Sequence, residues 1–194
     1  FLRRDPPGAQ LPHAGPCHQH AGQGGRHRGK RPDGQPPISL RGHHYADQDG
    51  TYSFDRLESE LVQHFPIRRE NWVVSLRGRL HTTLGDSDQV PYFLLPSLGS
   101  GSTLRGYRSW RFRDRSRMAL TAEYRWKAGH FLDMALFVDA GQVAPRLADL
   151  DLRKFKKTYG LGMSFHTPAT TITRIEVART GEGTALVFSF SPSF

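Results

Sequence analysis

The stretch MALTAEYRW, residues 118–126, alternates two kinds of side chain with a period of two. Met118, Leu120, Ala122, Tyr124 and Trp126 share one parity and are apolar. The other parity carries the polar residues of the stretch, including the carboxylate at position 123. Because successive side chains of a β-strand point to opposite faces of its sheet, the stretch predicts a strand with one apolar face and one charged face.

The same alternation recurs along residues 38–194 and predicts about eight antiparallel strands joined by short turns. The predicted strands are 38–45, 53–65, 71–81, 118–126, 132–139, 159–165, 173–179 and 184–194. One face is rich in Arg, Glu, Asp and Gly and could not form the dry core of a soluble sandwich. Aromatic residues near strand ends on the other face are typical of a transmembrane β-barrel, which is therefore the favoured fold class.

Composition narrows the function classes. The apolar content is 37% and the mean hydropathy is -0.56, and no run of about 18 apolar residues predicts a membrane-spanning helix. The net charge of +9 invites a nucleic-acid partner. However, most arginines are spread singly along alternating strands instead of forming one basic face, so we expect no nucleic-acid partner. Nothing in the sequence indicates a cofactor.

The first 37 residues differ in composition from the rest of the chain. They consist mainly of Gly, Pro, His, Arg and Gln, and such a tract is expected to be disordered or non-native to the following domain. Cys17, His18, His20 and His27 could be drawn as a metal site. They lack the two clean ligand pairs that closed zinc sites usually show, so we assign no metal. The barrel is expected to span residues 38–194.

A segment of roughly 35 residues, 82–116, interrupts the alternation and is far longer than an ordinary strand connection. It is too apolar to lie in water, with large side chains at Leu98, Leu104, Tyr107 and Trp110. An eight-stranded barrel is already filled by its own side chains, whereas a lumen that admits this loop needs about sixteen strands. We therefore expect about eight strands of a sixteen-stranded barrel, with the loop folded into the lumen.

Five landmarks, in this order, resemble one protein family. They are Leu104–Tyr107 (LRGY), 122–126 (AEYRW), 137–141 (FVDAG), 159–165 (YGLGMSF) and the terminal Phe194. Residues 38–194 thereby resemble the C-terminal half of the BamA-type outer-membrane assembly factor superfamily, also called the bacterial surface antigen family. The resemblance implies a sixteen-stranded barrel that follows periplasmic POTRA domains.

The resemblance also implies a site. In that family the arginine of the loop motif contacts acidic residues of the inner wall, which correspond here to Arg105, Glu123 and Asp139. Both carboxylates lie on the polar parity of their strands, and a guanidinium group can hold one carboxylate with two hydrogen bonds while touching another. Gly106 would supply the backbone turn, and Leu104 and Tyr107 complete the motif. Phe188, Phe190 and Phe194 would form the signal of the C-terminal strand.

The function implied is not enzymatic. It is the insertion or export of polypeptides in the outer membrane of a Gram-negative-type bacterium, by strand pairing at a lateral seam of the barrel. The implied partners are outer-membrane lipid, unfolded outer-membrane or secreted polypeptides, and accessory lipoproteins.

Three alternatives stay open: the anchor of a secreted patatin-like phospholipase, a two-partner secretion pore, and a small self-contained barrel. The segment 99–102 (GSGS) lacks the pattern of a hydrolase nucleophile, so the chain itself shows no catalytic site.

Overall fold

The computed structural model describes residues 38–46, 52–68, 71–85, 90–166 and 171–190. The predicted low-complexity tract, residues 1–37, lies outside them. The strands are β1 (Ile38–Ala46), β2 (Ser53–Arg68), β3 (Trp72–Leu84), β4 (Ser97–Leu98), β5 (Phe112–Arg113), β6 (Ser116–Lys127), β7 (Leu132–Ala144), β8 (Lys156–His166), β9 (Thr171–Thr180) and β10 (Gly183–Ser189). Single turns of 3-10 helix occur at Tyr92–Leu94, Leu147–Asp149 and Leu152–Lys154.

Eight of these strands form one antiparallel sheet in the order β1-β2-β3-β6-β7-β8-β9-β10. Within this sheet each strand pairs with the next one along the chain, except that β3 pairs with β6. Strands β4 and β5 pair in a separate two-stranded sheet inside the long loop. The predicted all-β, antiparallel fold with eight strands is confirmed. Within the described residues the sheet is open, with β1 and β10 at its edges. No helix among these residues has the length and apolarity to cross a membrane.

The two faces of the sheet differ as the alternation predicts. The outer face carries exposed apolar side chains, for example Leu136, Tyr159 and Phe188, at 50%, 60% and 58% exposure. The inner face carries buried charged residues. This distribution suits a sheet with lipid on one side and a polar lumen on the other.

Most strand ends lie within three residues of the predicted ones, and the ends of β2, β7 and β10 are the notable differences. Strand β2 continues through Pro66 to Arg68, because a register shift between Pro66 and Arg68 accommodates a residue that cannot donate a backbone hydrogen bond. Strand β7 extends to Ala144, five residues beyond the predicted end. Strand β10 ends at Ser189, and residues 191–194, including Phe194, lie outside the described part of the chain.

The two ends of the sheet differ in the length of their connections. Segments 85–115 and 145–155 leave the same end, which we call the loop end, together with the β9–β10 turn at 181–182. The opposite end, called the turn end, includes the short connection 128–131 between β6 and β7. Outer-membrane barrels place long loops outside the cell and short turns in the periplasm.

The β3–β6 loop, residues 85–115, folds over the inner face. Its side chains Leu98, Leu104 and Tyr107 form the main buried apolar cluster with Ala119 of β6. Some large loop residues are not covered as expected: Trp110, for example, is 69% exposed. The core therefore lies between the loop and the inner wall, and this packing places the next residue, Arg105, against the strands.

Candidate functional site: a buried charge cluster

The loop backbone aims Arg105 at the inner wall through a tight turn at Gly106. Gly106 has a φ of 86°, in the left-handed region that residues with a Cβ resist. A Cβ there would lie 2.8 Å from both Ala178 Cβ and Thr180 Cγ2 of β9. Glycine is thus required at position 106 for two reasons: the dihedral angle and the close approach to β9.

The guanidinium group of Arg105 holds Asp139 of β7 with two parallel hydrogen bonds. Nε donates to Oδ2 at 2.8 Å and Nη2 donates to Oδ1 at 2.7 Å. The backbone N–H of Arg105 also donates to Asp139 Oδ2, at 3.1 Å. This bidentate geometry fixes the direction of the arginine as well as its position.

The remaining nitrogen of the guanidinium group, Nη1, contacts two further carboxylates. It donates to Glu123 Oε2 of β6 at 2.9 Å and to Glu176 Oε1 of β9 at 2.8 Å. Arg174 of β9 bridges the same two carboxylates, with Nη2 2.6 Å from Glu123 Oε2 and Nε 2.9 Å from Glu176 Oε1. Arg125 Nη2 donates to Glu123 Oε1 at 2.7 Å. One loop residue thereby joins three strands.

We call these six residues the charge cluster: Arg105, Glu123, Arg125, Asp139, Arg174 and Glu176. Its three arginines balance its three carboxylates. All members except Arg125 are 2% exposed or less. Removing charges from water is costly unless each is paired and hydrogen-bonded, so the balance is a condition for the burial.

The aromatic ring of Phe137 in β7 packs against the guanidinium group of Arg105. The Arg105 Cζ atom lies 3.5 Å above the centre of the Phe137 ring, a cation–π contact. The ring in turn packs on the backbone of Gly160 in β8, where a Cβ would lie 2.5 Å from a ring carbon. Arg105, Phe137 and Gly160 therefore stack in three layers, and the glycine leaves the space for the ring.

The electrostatics keep Arg105 charged. Burial by itself would lower the pKa of its guanidinium group. The hydrogen bonds and charge of Asp139, and then the charges of Glu176 and Glu123, outweigh burial and raise that pKa above its ordinary value. A permanent cation at this position suits a structural contact with carboxylates better than proton transfer.

Further contacts attach the loop on both sides of the cluster. The Tyr107 hydroxyl accepts a hydrogen bond from the Gly181 N–H in the β9–β10 turn, at 3.3 Å. Arg111 pairs with Glu182 of the same turn at 3.0 Å. On the β3 side, Arg79 Nη1 donates to the carbonyl oxygen of Ser102 at 2.9 Å. The loop thus spans the inner face from β3 to the last hairpin.

The structure brings together the predicted residues Arg105, Glu123 and Asp139, with Gly106 forming the turn and Leu104 and Tyr107 buried beside them. Their role in function stays a prediction. Sequence reasoning missed Arg174 and Glu176. The available signal was their shared polar parity in β9, where a charged pair faces the same side as the other carboxylates.

The predicted C-terminal signal lies elsewhere. Phe188 and Phe190 are 58% and 79% exposed, Phe188 on the outer face of β10 and Phe190 directly after the strand, and neither contributes to the charge cluster. Phe194 lies outside the described residues. The proposed role of these aromatics as a strand signal stays a prediction.

Comparison with known proteins finds a family match and similar solved structures. A model described as the Omp85 superfamily domain matches residues 44–192. Among solved structures, the chain is similar to BamA from Haemophilus ducreyi lacking POTRA domains 1–3, with a TM-score of 0.65 and 16% sequence identity. The match covers 84% of this chain and 38% of that one, so the chain spans less than half of the length of that structure. At this identity the likeness concerns the fold. No curated protein matches the chain.

Proposed function

The chain belongs to the Omp85 superfamily, and from this premise we propose that it acts in the insertion or export of polypeptides at the outer membrane. The family match and the fold support an Omp85-type outer-membrane β-barrel. The movement of polypeptide substrates by strand pairing is our proposal, as are the substrates and the accessory lipoproteins.

The observation that carries the proposal is the charge cluster. It fixes a long loop against the inner wall at a point shared by β6, β7 and β9. A loop held at this point of the wall can control the position of the last hairpin of the sheet. The loop reaches that hairpin directly: a Cβ at Gly101 would lie 3.5 Å from Val187 Cγ1 of β10.

Strand β10 provides the backbone edge at which a substrate strand would bind. Within the described residues it pairs with β9 on one side only. An unpaired strand edge presents backbone N–H and C=O groups that can hydrogen-bond to an incoming strand. We propose that this edge pairs with substrate strands while the docked loop keeps β9, and hence the hairpin, in place.

A non-enzymatic role agrees with the local structure of the GSGS segment. The Ser100 hydroxyl contacts the hydroxyls of Ser102 and Thr103, at 3.0 and 3.3 Å. A nucleophilic serine would instead contact a histidine base. These contacts support a structural turn in the GSGS segment.

The test uses cells in which the full-length protein can be depleted. If it inserts outer-membrane proteins, depletion should lower the amount of folded porins, measured by their heat-modifiable migration on gels. If it exports a substrate, porins should stay constant while a secreted polypeptide accumulates in the periplasm. Photo-crosslinking residues at Val187 of β10 should capture the substrate, whereas the same residue at Leu120 of β6 should not. Equal capture at both positions, or no change in either protein class, would refute the proposal.

A further inference from the structure

The outer face changes from apolar to positively charged side chains at the loop end of β8 and β9. Along most of these strands the outward residues are apolar, for example Leu161 and Val177. At the loop end the outward residues are instead Lys157 and Arg179, both exposed. Tyr159, which is 60% exposed, lies two residues after Lys157 in β8 and directly opposite Arg179 of β9. Two cations and a tyrosine therefore mark one border of the lipid-facing surface.

An apolar groove of about 760 Å³ runs across the outer face below these cations. Its lining includes Leu136, Val138, Leu161 and Val177, and Tyr159 and Arg179 line it as well. One surface thus offers apolar walls and a cation within the same groove. This combination fits an amphiphile with an acyl chain and an anionic headgroup.

The cations are available for such a headgroup. Arg179 donates to the neutral hydroxyl of Thr184 at 2.9 Å, and within the described ranges no carboxylate contacts Arg179 or Lys157. The acidic residues nearby in sequence are engaged elsewhere. Glu182 pairs with Arg111, and Asp151 accepts a hydrogen bond from the Arg153 N–H at 2.9 Å.

The adjoining β7–β8 connection adds exposed cations at the same end of the sheet, namely Arg146, Arg153 and Lys154. The carboxylates of this connection are Asp149 and Asp151, so cations outnumber acids there. A surplus of positive charge at a membrane border attracts anionic lipid headgroups.

We propose that Lys157 and Arg179 bind phosphate groups of a lipid in the leaflet at the loop end, with its acyl chains in the groove. Guanidinium groups bind phosphate oxygens bidentately. Long basic side chains can extend from an apolar wall to the headgroup level. The site is specific for phosphorylated lipid and goes beyond general contact with membrane. It rests on the barrel orientation used for the proposed function.

The test uses the full-length protein in phosphatidylcholine nanodiscs, with bisphosphorylated lipid A as the probe and dephosphorylated lipid A as the matched control. Native mass spectrometry measures retained lipid. Removing one cation should weaken binding about fivefold, since each basic residue near an anionic surface contributes on the order of 1 kcal/mol. Lys157→Gln combined with Arg179→Gln should therefore weaken it about 25-fold. Arg179→Lys should retain most of the binding.

Lys127→Gln provides a control with the same charge change at the turn end of β6, and binding should stay at the wild-type level. Equal binding of the two lipids by the wild type, or undiminished binding by the double variant, would overturn the site. Heat-modifiable migration verifies that each variant is folded. The assay contains no polypeptide substrate, so its failure leaves the proposed function standing, and a failure of substrate assembly leaves the lipid site standing.

Discussion

Replacing Arg105 with alanine removes the only loop residue of the charge cluster. The substitution deletes four side-chain hydrogen bonds, two to Asp139 and one each to Glu123 and Glu176. It also changes the cluster from three cations and three carboxylates to two cations and three carboxylates. We expect the loop to leave the inner wall far more often than in the wild type.

The free-energy cost of Arg105→Ala depends on which ion pairs each carboxylate of the cluster loses. Glu123 and Glu176 keep Arg174 as a partner. Asp139 is 1% exposed and, among the described residues, pairs only with Arg105, so it carries most of the penalty. Leaving one buried charge without its partner costs about 3 to 5 kcal/mol. The ratio of docked to undocked loop should fall by roughly two to four orders of magnitude.

The assay is hydrogen exchange of the amides at residues 103–107 and at Gly181 in the full-length protein in detergent, with limited proteolysis of the loop as a second measurement. Arg111→Ala is the control, because it removes an exposed ion pair in the same loop that should contribute about 1 kcal/mol or less. In the double variant Arg105→Ala, Asp139→Asn the penalty should shrink, since the unpaired charge is gone. Unchanged exchange in Arg105→Ala, or full additivity in the double variant, would refute the reasoning.

Three further predictions concern the same contact. Gly106→Ala should weaken loop docking by about 1 to 3 kcal/mol or more, from its positive φ and from the short contacts to β9; Gly101→Ala, at an ordinary backbone position, should have little effect on the same amides. Phe137→Leu should remove the aromatic ring beneath the guanidinium group and weaken docking by about 0.5 to 2 kcal/mol, and an unchanged exchange rate would contradict this. A pH titration separates arginine from lysine. The pKa of the Arg105 guanidinium group is raised above its already high ordinary value, so its contribution is lost only in very strong base and docking should be constant from neutral pH to pH of about 11. Arg105→Lys should instead lose docking as pH rises above about 10.4.

The strands and their faces could be predicted because a single physical rule decides them. In MALTAEYRW and in the segment around FVDAG, the period of two assigns Glu123 and Asp139 to the inner face and Leu136 and Val138 to the outer face, and the structure has the same assignment. A local rule of this kind needs no knowledge of the tertiary structure.

The partners of Arg105 beyond those two carboxylates could not be predicted in the same way. Glu176 is 71 residues from Arg105 in sequence, and its place in the cluster depends on the register of β9 against β8, which residue alternation does not determine. The prediction that β2 ends before Pro66 was wrong for a related reason. Proline usually interrupts a strand, but the register shift next to Pro66 lets pairing continue to Arg68.

The central claim is that the β3–β6 loop lies against the inner wall beside the last strand, held there by the charge cluster. The most direct measurement is disulfide formation in outer membranes between Gly101→Cys and Val187→Cys, with Cys17 replaced by serine, because a Cβ at position 101 would lie 3.5 Å from Val187 Cγ1. We expect rapid, nearly complete oxidation in this pair, a strong reduction when Arg105→Ala is added, and none when the second cysteine is placed at Phe188 on the outer face. Absence of the 101–187 disulfide in folded protein, or its formation at the same rate with Arg105→Ala, would contradict the claim.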